Sequence, residues 1–79
     1  MMTPLPGQVW QHYKGGTYEV VSCAQHTERE EILVIYRSVA FGSVYARPLS
    51  IWYETVDSTT SKKKVPRFTQ VVTSDYESE

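Results

Sequence analysis

The stretch Gln8-Val9-Trp10-Gln11-His12-Tyr13-Lys14-Gly15-Gly16-Thr17-Tyr18-Glu19-Val20-Val21-Ser22-Cys23-Ala24 decides the fold. Two runs rich in aromatic and β-branched residues, which suit a pleated and half-buried surface, flank an adjacent pair of glycines. Gly15-Gly16 offers the positive φ angles of a two-residue hairpin turn, so Gln8 to Tyr13 and Thr17 to Ala24 read as antiparallel strands. With those two glycines as the whole loop, Tyr13 faces Tyr18, His12 faces Glu19 and Trp10 faces Val21. Upstream, Pro4, Pro6 and Gly7 hold the lead-in extended.

Downstream, Gln25 to Glu30 is polar, follows neither structural period and reads as a loop. Ile32, Val34 and Tyr36 then alternate with Leu33, Ile35 and Arg37. Apolar residues on both faces predict a strand over Glu31 to Ser38 that is buried on both sides and carries most of the core. Gly42-Ser43 turns the chain into a fourth strand, Val44 to Arg47, and Pro48 ends it by lacking a backbone N–H. Leu49 to Glu54 is long enough for one helical turn, with Ser50 as its cap. Thr55 to Lys64 reads as a long polar loop, Phe68 to Val72 as the last strand, and the acidic residues from 73 to 79 as a fraying end. The sum is an all-β fold: a small barrel of about five short strands with one helical turn, because closing a sheet hides its edges.

Size and charge narrow the function classes. Seventy-nine residues, 41% apolar and 13% aromatic, suit a single domain over 1–79 with a folded body at about 6–72, and exclude a wholly disordered chain. The net charge of −1 provides no global field toward nucleic acid or a membrane. Residues 1–74 hold eight basic and six acidic groups, a net of +2, and Asp75, Glu77 and Glu79 add the remaining −3. A mildly basic body is compatible with binding an anion locally. The single cysteine, Cys23, has no internal disulfide partner, and the start lacks the basic and apolar regions of a secretory signal, so a cytoplasmic location is expected. The longest apolar run, Ile32 to Tyr36, is far below the ~20 residues of a membrane-spanning helix, so no membrane partner is expected.

The chain resembles the bacterial family known as domain of unknown function 1653. The matching blocks are Pro6-Gly7, then Trp10 through Val20, then Ala24-Gln25-His26-Thr27-Glu28. Val34-Ile35-Tyr36-Arg37, Tyr45-Ala46-Arg47-Pro48-Leu49, Trp52, Glu54, Val56 and Arg67-Phe68 complete them. The resemblance runs from about Pro6 to Val72 and implies an SH3-like small barrel. It brings no activity with it. Lys62-Lys63-Lys64 departs from the family's pattern, so a role for those lysines would be particular to this chain.

The polar residues within these blocks are the candidate site. His12, Tyr13, Lys14, His26, Glu28, Arg47 and Arg67, with Trp52, would form a concave patch in which the two arginines present planar donors to a small anionic ligand or a peptide. The bland alternative is a polar network that staples a small domain, with Arg47 paired to Glu54 or Glu28 and His26 satisfying loop backbone groups. His12, His26, Glu28 and Cys23 include zinc-compatible types, but their spacing is not diagnostic, and no metal or cofactor is assigned. A minimal hydrolase or transferase would use His12 or His26 as general base with Glu28 orienting it. Single-stranded nucleic acid would be bound through Tyr13, Tyr18, Tyr36, Tyr45 and Trp52 with the lysine run, against which stands the weakly acidic balance. The reading favoured is a non-enzymatic binding module.

Overall fold

A computed structural model describes residues 3–58 and 63–71. Its elements in chain order are β1 (Val9–His12), β2 (Thr17–Gln25), β3 (Ile32–Ser38), β4 (Val44–Pro48), α1 (Leu49–Trp52), β5 (Thr55–Asp57), β6 (Lys64–Pro66) and β7 (Phe68–Gln70). Five strands form one antiparallel sheet in the order β4-β3-β2-β1-β7, and β5 pairs with β6. The fold is all-β with one helical turn, as expected. Among the described residues seven strands replace the five expected, because Thr55–Asp57 and Lys64–Pro66 pair as a hairpin where a long loop was expected. The end of the last strand at Val72, the acidic stretch 73–79 and Lys62 lie outside the described residues.

The first hairpin has a different register from the expected one. Trp10 pairs with Tyr18, Val9 with Glu19 and Gln11 with Thr17. The His12 N–H donates to the Gly16 carbonyl at 2.7 Å and the Gly15 N–H to the His12 carbonyl at 2.8 Å, which closes a three-residue loop, Tyr13-Lys14-Gly15. Gly15 alone takes the left-handed position (φ 114°) that such a loop requires. Gly16 has a separate reason for its size: a Cβ there would stand 2.9 Å from the Tyr18 hydroxyl oxygen. Tyr13 cannot continue the ladder, because its N–H donates to the Arg67 carbonyl at 2.9 Å. The pairings His12 with Glu19 and Trp10 with Val21 are therefore corrected, and Glu19 forms its ion pair with Arg37.

Two further expectations change. The lead-in is a turn, with the Gln8 N–H on the Leu5 carbonyl at 3.1 Å, as Pro6-Gly7 at its centre favours. Ser50 does not cap α1; Pro48 stands at the cap position, where no side chain accepts a hydrogen bond.

Trp10, Val20, Val34, Tyr36, Trp52 and Phe68 form the buried core on the inner face of the sheet. On β3 only Val34, Tyr36 and Ser38 are buried, while Leu33 and Ile35 on the outer face are half-buried, so that strand feeds the core from one side. The register of β2 against β3 shifts between Val20 and Ser22, leaving Val21 as an extra, exposed residue. A bulge of this kind bends the strand and adds twist. The consequence is a curled sheet. In a flat one, four inter-strand steps of about 4.8 Å would put β4 roughly 19 Å from β7. Here the Arg47 guanidinium at the end of β4 lies 5.5 Å from the centre of the Phe68 ring on β7.

The curl stops short of closure. Among the described residues no ladder joins β4 to β7, so the closed barrel is corrected to an open, curled sheet. Trp52 plugs the gap. Its ring stacks on Phe68 (3.8 Å between centroids, 8° between planes) and meets Tyr36 and Trp10 edge-on at 5.0 and 5.6 Å. Packing of an indole, not hydrogen bonding, joins the two sheet edges here.

Candidate functional site

Period-two alternation along β4 puts Tyr45 and Arg47 on one face, and pairing with Tyr36 and Val34 makes that the inner face. Pairing of β1 with β7 sets His12 opposite Phe68. The curl then brings these two distant ladders together. Phe68 has the His12 ring edge-on at 5.0 Å on one side and the Arg47 guanidinium at 5.5 Å on the other. The Arg47 Nε–H donates to the Tyr36 hydroxyl at 3.1 Å, and among the described residues no carboxylate lies within ion-pair distance of Arg47.

Arg67, which precedes Phe68, is held differently. Its Nη2 reaches Glu54 Oε1 at 3.1 Å, and the backbone repeats the link, the Arg67 N–H donating to the Glu54 carbonyl at 2.8 Å. The Nε–H of Arg67 and the Nε1–H of Trp52 are buried donors without an acceptor among the described residues. Arg67 is mainly a strut between β7 and the segment that follows α1. Of the two arginines, Arg47 is the one with a charge left to offer.

The local turn fixes the His12 ring. The Lys14 N–H donates to His12 Nδ1 at 3.1 Å, which leaves the proton of the neutral imidazole on Nε2. Partial burial, then the nearby charges of Arg47, Arg67 and Lys14, hold its pKa below the usual 6.5. Burial first, and the three cations after it, favour the neutral imidazole, so this corner of a weakly acidic chain carries positive charge. Lys14 Nζ also lies 5.8 Å over the Tyr13 ring, and Tyr13 packs on His12 at 4.7 Å. His12 and Tyr13 also line an open hollow of about 380 Å³, together with Gln11, Thr69 and Val65 and Pro66 of β6.

Six of the eight sequence candidates therefore gather around His12 and Phe68: His12, Tyr13, Lys14, Arg47, Trp52 and Arg67. Trp52 is fully buried there, a wall and not a contact surface. His26 and Glu28 are elsewhere. They occupy the turn after β2, whose nine residues at about 3.3 Å each set them on the order of 30 Å from His12 along the strand. Their mutual contact is the Glu28 N–H on His26 Nδ1 at 3.0 Å, a backbone bond, with the carboxylate uninvolved. The depression beside them, about 320 Å³, is formed by the consecutive residues 25–30 of that turn and gathers no distant side chain. Among the described residues no three of His, Cys, Asp and Glu come together as metal ligands. Cys23 is free and half-buried, its thiol on the Pro4 carbonyl at 3.6 Å, and burial raises its pKa.

Phe68 escaped the sequence reading as a site residue, and Tyr36 and Tyr45 entered it only as surfaces for a nucleic-acid strand. Tyr45 carried a usable signal, since it stands two before Arg47 on a strand. Nothing local announces that Phe68 lies under Arg47, because three strands of the sheet separate β4 from β7.

The class these features define is a small all-β domain whose curled sheet collects cations and aromatic rings at one open end. The chain belongs to the family described as protein of unknown function (DUF1653), whose model matches residues 8–70. It is similar to the crystal structure of a DUF1653 protein from Bordetella bronchiseptica, at 36% identity and a TM-score of 0.71 over 84% of this chain and 85% of that one. No curated protein matches the chain. Among the described residues no helix is long and apolar enough to cross a membrane.

Proposed function

We propose that this domain is a non-enzymatic binding module that takes a small anionic ligand, a carboxylate or phosphate, at the end of the sheet where Arg47, His12 and Phe68 meet. One observation carries the reading: Arg47 is an oriented cation on the inner face, fixed through Nε by Tyr36 and set over Phe68, with no carboxylate partner among the described residues. A guanidinium held by one edge keeps a planar pair of donors for a bidentate acceptor. His12 supports this: burial first, and then the charges of Arg47, Arg67 and Lys14, lower its pKa, and an anion would offset the charges. The same reading treats the curled sheet as an open relative of the SH3-like barrels, supported by the meeting of β4 and β7 at Arg47 and Phe68. It places the work in the cytoplasm, supported by an unpaired Cys23.

The test is thermal shift and NMR titration with inorganic phosphate and with small mono- and dicarboxylates. Wild-type protein should be stabilised by at least one of them, with shifts at His12 and Tyr36. Arg47→Gln, which leaves a neutral hydrogen-bonding side chain, should lose that stabilisation while remaining folded. Equal responses from the two proteins would refute the site.

A further inference from the structure

Among the described residues no strand pairs with the outer edge of β4, which is unusual for a terminal strand. Sheet edges that stay solvated are blunted by lysine, proline, bulges or short length, since their unpaired backbone groups otherwise recruit another strand. The other terminal strand, β7, is three residues long and directly preceded by Arg67. Residues 39–46, Val-Ala-Phe-Gly-Ser-Val-Tyr-Ala, contain no charge and no proline. Four of their side chains are exposed large apolar groups: Val39 52%, Phe41 87%, Val44 59% and Tyr45 47%.

The hydrogen-bond phase of the edge follows from the neighbouring turn. The Ser38 N–H donates to the Ser43 carbonyl at 2.8 Å, and the register sets Tyr36 against Tyr45. Ser43, Tyr45 and Arg47 therefore direct their backbone groups at β3, and Val44 and Ala46 direct theirs outward. Two outward residues flanking one inward residue are self-complementary. Turned about a two-fold axis at Tyr45, Val44 of one copy meets Ala46 of the other, twice, and all outward groups of both residues pair.

We propose that the β4 edge is the seam of a symmetric dimer in which Val44–Ala46 of two copies pair antiparallel about Tyr45, making one sheet continuous through both. Charge favours a second copy as the occupant. Identical chains set like charges against each other at a two-fold, and Val44–Ala46 has none to set; the charge and the proline of β4, Arg47 and Pro48, come after it. Area agrees. The four exposed side chains, divided between the two faces beside the edge, amount to roughly 500 Å² per copy, within the range of the largest patch on an ordinary monomer, and to about 1,000 Å² between two copies, near the lower bound of a specific interface. Tyr45 meets its equivalent as an aromatic pair at a non-hydrogen-bonded position, where Cα atoms approach to about 4.5 Å.

Sedimentation velocity of the full chain, from low micromolar to near millimolar, should show a species of twice the chain mass. Val44→Lys puts a charge on an exposed side chain of the seam, and should raise the dimer dissociation constant by about tenfold or more without changing the circular dichroism spectrum. Tyr45→Cys in a Cys23→Ser background should form an intermolecular disulfide under mild oxidation, since the Cα separation suits one. Thr69→Cys on the opposite sheet edge should not. A wild-type monomer throughout the range, a Val44→Lys dimer as tight as wild type, or cross-linking through Thr69 in place of Tyr45 would each overturn the proposal; the first would leave the edge to an extended segment of another protein.

Discussion

His12 and His26 make the same local bond in different surroundings. Each ring accepts through Nδ1 the backbone N–H two residues ahead, from Lys14 at 3.1 Å and from Glu28 at 3.0 Å. Each thereby satisfies one donor of the turn that follows its strand. Among the described residues no aromatic ring is in contact with His26, and the turn that holds it gathers no distant side chain. At His12 three rings from the hairpin and β7 (Tyr13, Tyr18 and Phe68) lie within 6.5 Å, and three cations bias its charge. An identical local motif becomes a structural staple at one end of β2 and part of a polarised cluster at the other. The difference lies wholly in what long-range pairing delivers to each end.

The strongest way to break that contrast is to remove the plug that gathers the His12 end. Trp52→Ala deletes a fully buried indole that stacks on Phe68 and should cost about 3–5 kcal/mol. A domain of this length holds roughly 4–12 kcal/mol in all, so urea denaturation followed by circular dichroism should show a variant near the edge of folding. A loss under about 1 kcal/mol would mean that the plug does not hold the curl.

The second perturbation is protonation. His12 is depressed below 6.5 in the folded state by burial and then by Arg47, Arg67 and Lys14, so between those two values the unfolded chain binds more protons than the folded one. The stability this group supports is complete above about pH 6.5 and declines as pH falls toward the folded value. Melting temperature should drop between about pH 7 and pH 5, and His12→Asn, which keeps an acceptor for the Lys14 N–H and does not titrate, should show a smaller drop. Because an anion at Arg47 opposes the field on His12, its binding should strengthen with the same fall in pH. A flat wild-type profile would remove His12 from the cluster.

The smallest effect belongs to the other turn. His26→Ala deletes one acceptor for the Glu28 N–H in an exposed loop, where water can replace it, and should cost about 0.5–1 kcal/mol. Its melting temperature should shift by a few degrees at most, with no change in the anion response of the Arg47 site. A large loss of that response would show the two ends to be coupled.

Much of the fold was legible before any coordinates. The β-branched and aromatic runs, Pro48 as the end of β4 and the helical turn before Glu54 are consequences of local sterics and appear where the residues put them. Gly15-Gly16 announced a hairpin correctly and its register wrongly. The choice between a two- and a three-residue loop was settled by Arg67, fifty residues away, whose carbonyl takes the Tyr13 N–H. The Thr55 to Lys64 region hid a hairpin because three-residue strands such as β5 and β6 carry too few side chains for a period to show. For the site, six of eight candidate residues gather around His12 and Phe68, and the two that do not, His26 and Glu28, belong to the opposite end of β2.

By itself, then, the sequence determined an all-β domain, its turns and which side chains alternate together, because each depends on neighbours a few residues apart. Only the tertiary structure decided that Arg47 stands over Phe68, that Glu54 engages Arg67 and not Arg47, and that among the described residues the sheet stops at β4. Those outcomes follow from one bulge at Val21 and from the pairing of β1 with β7, and the bend and closure of a sheet are properties of the whole ladder that no single segment encodes.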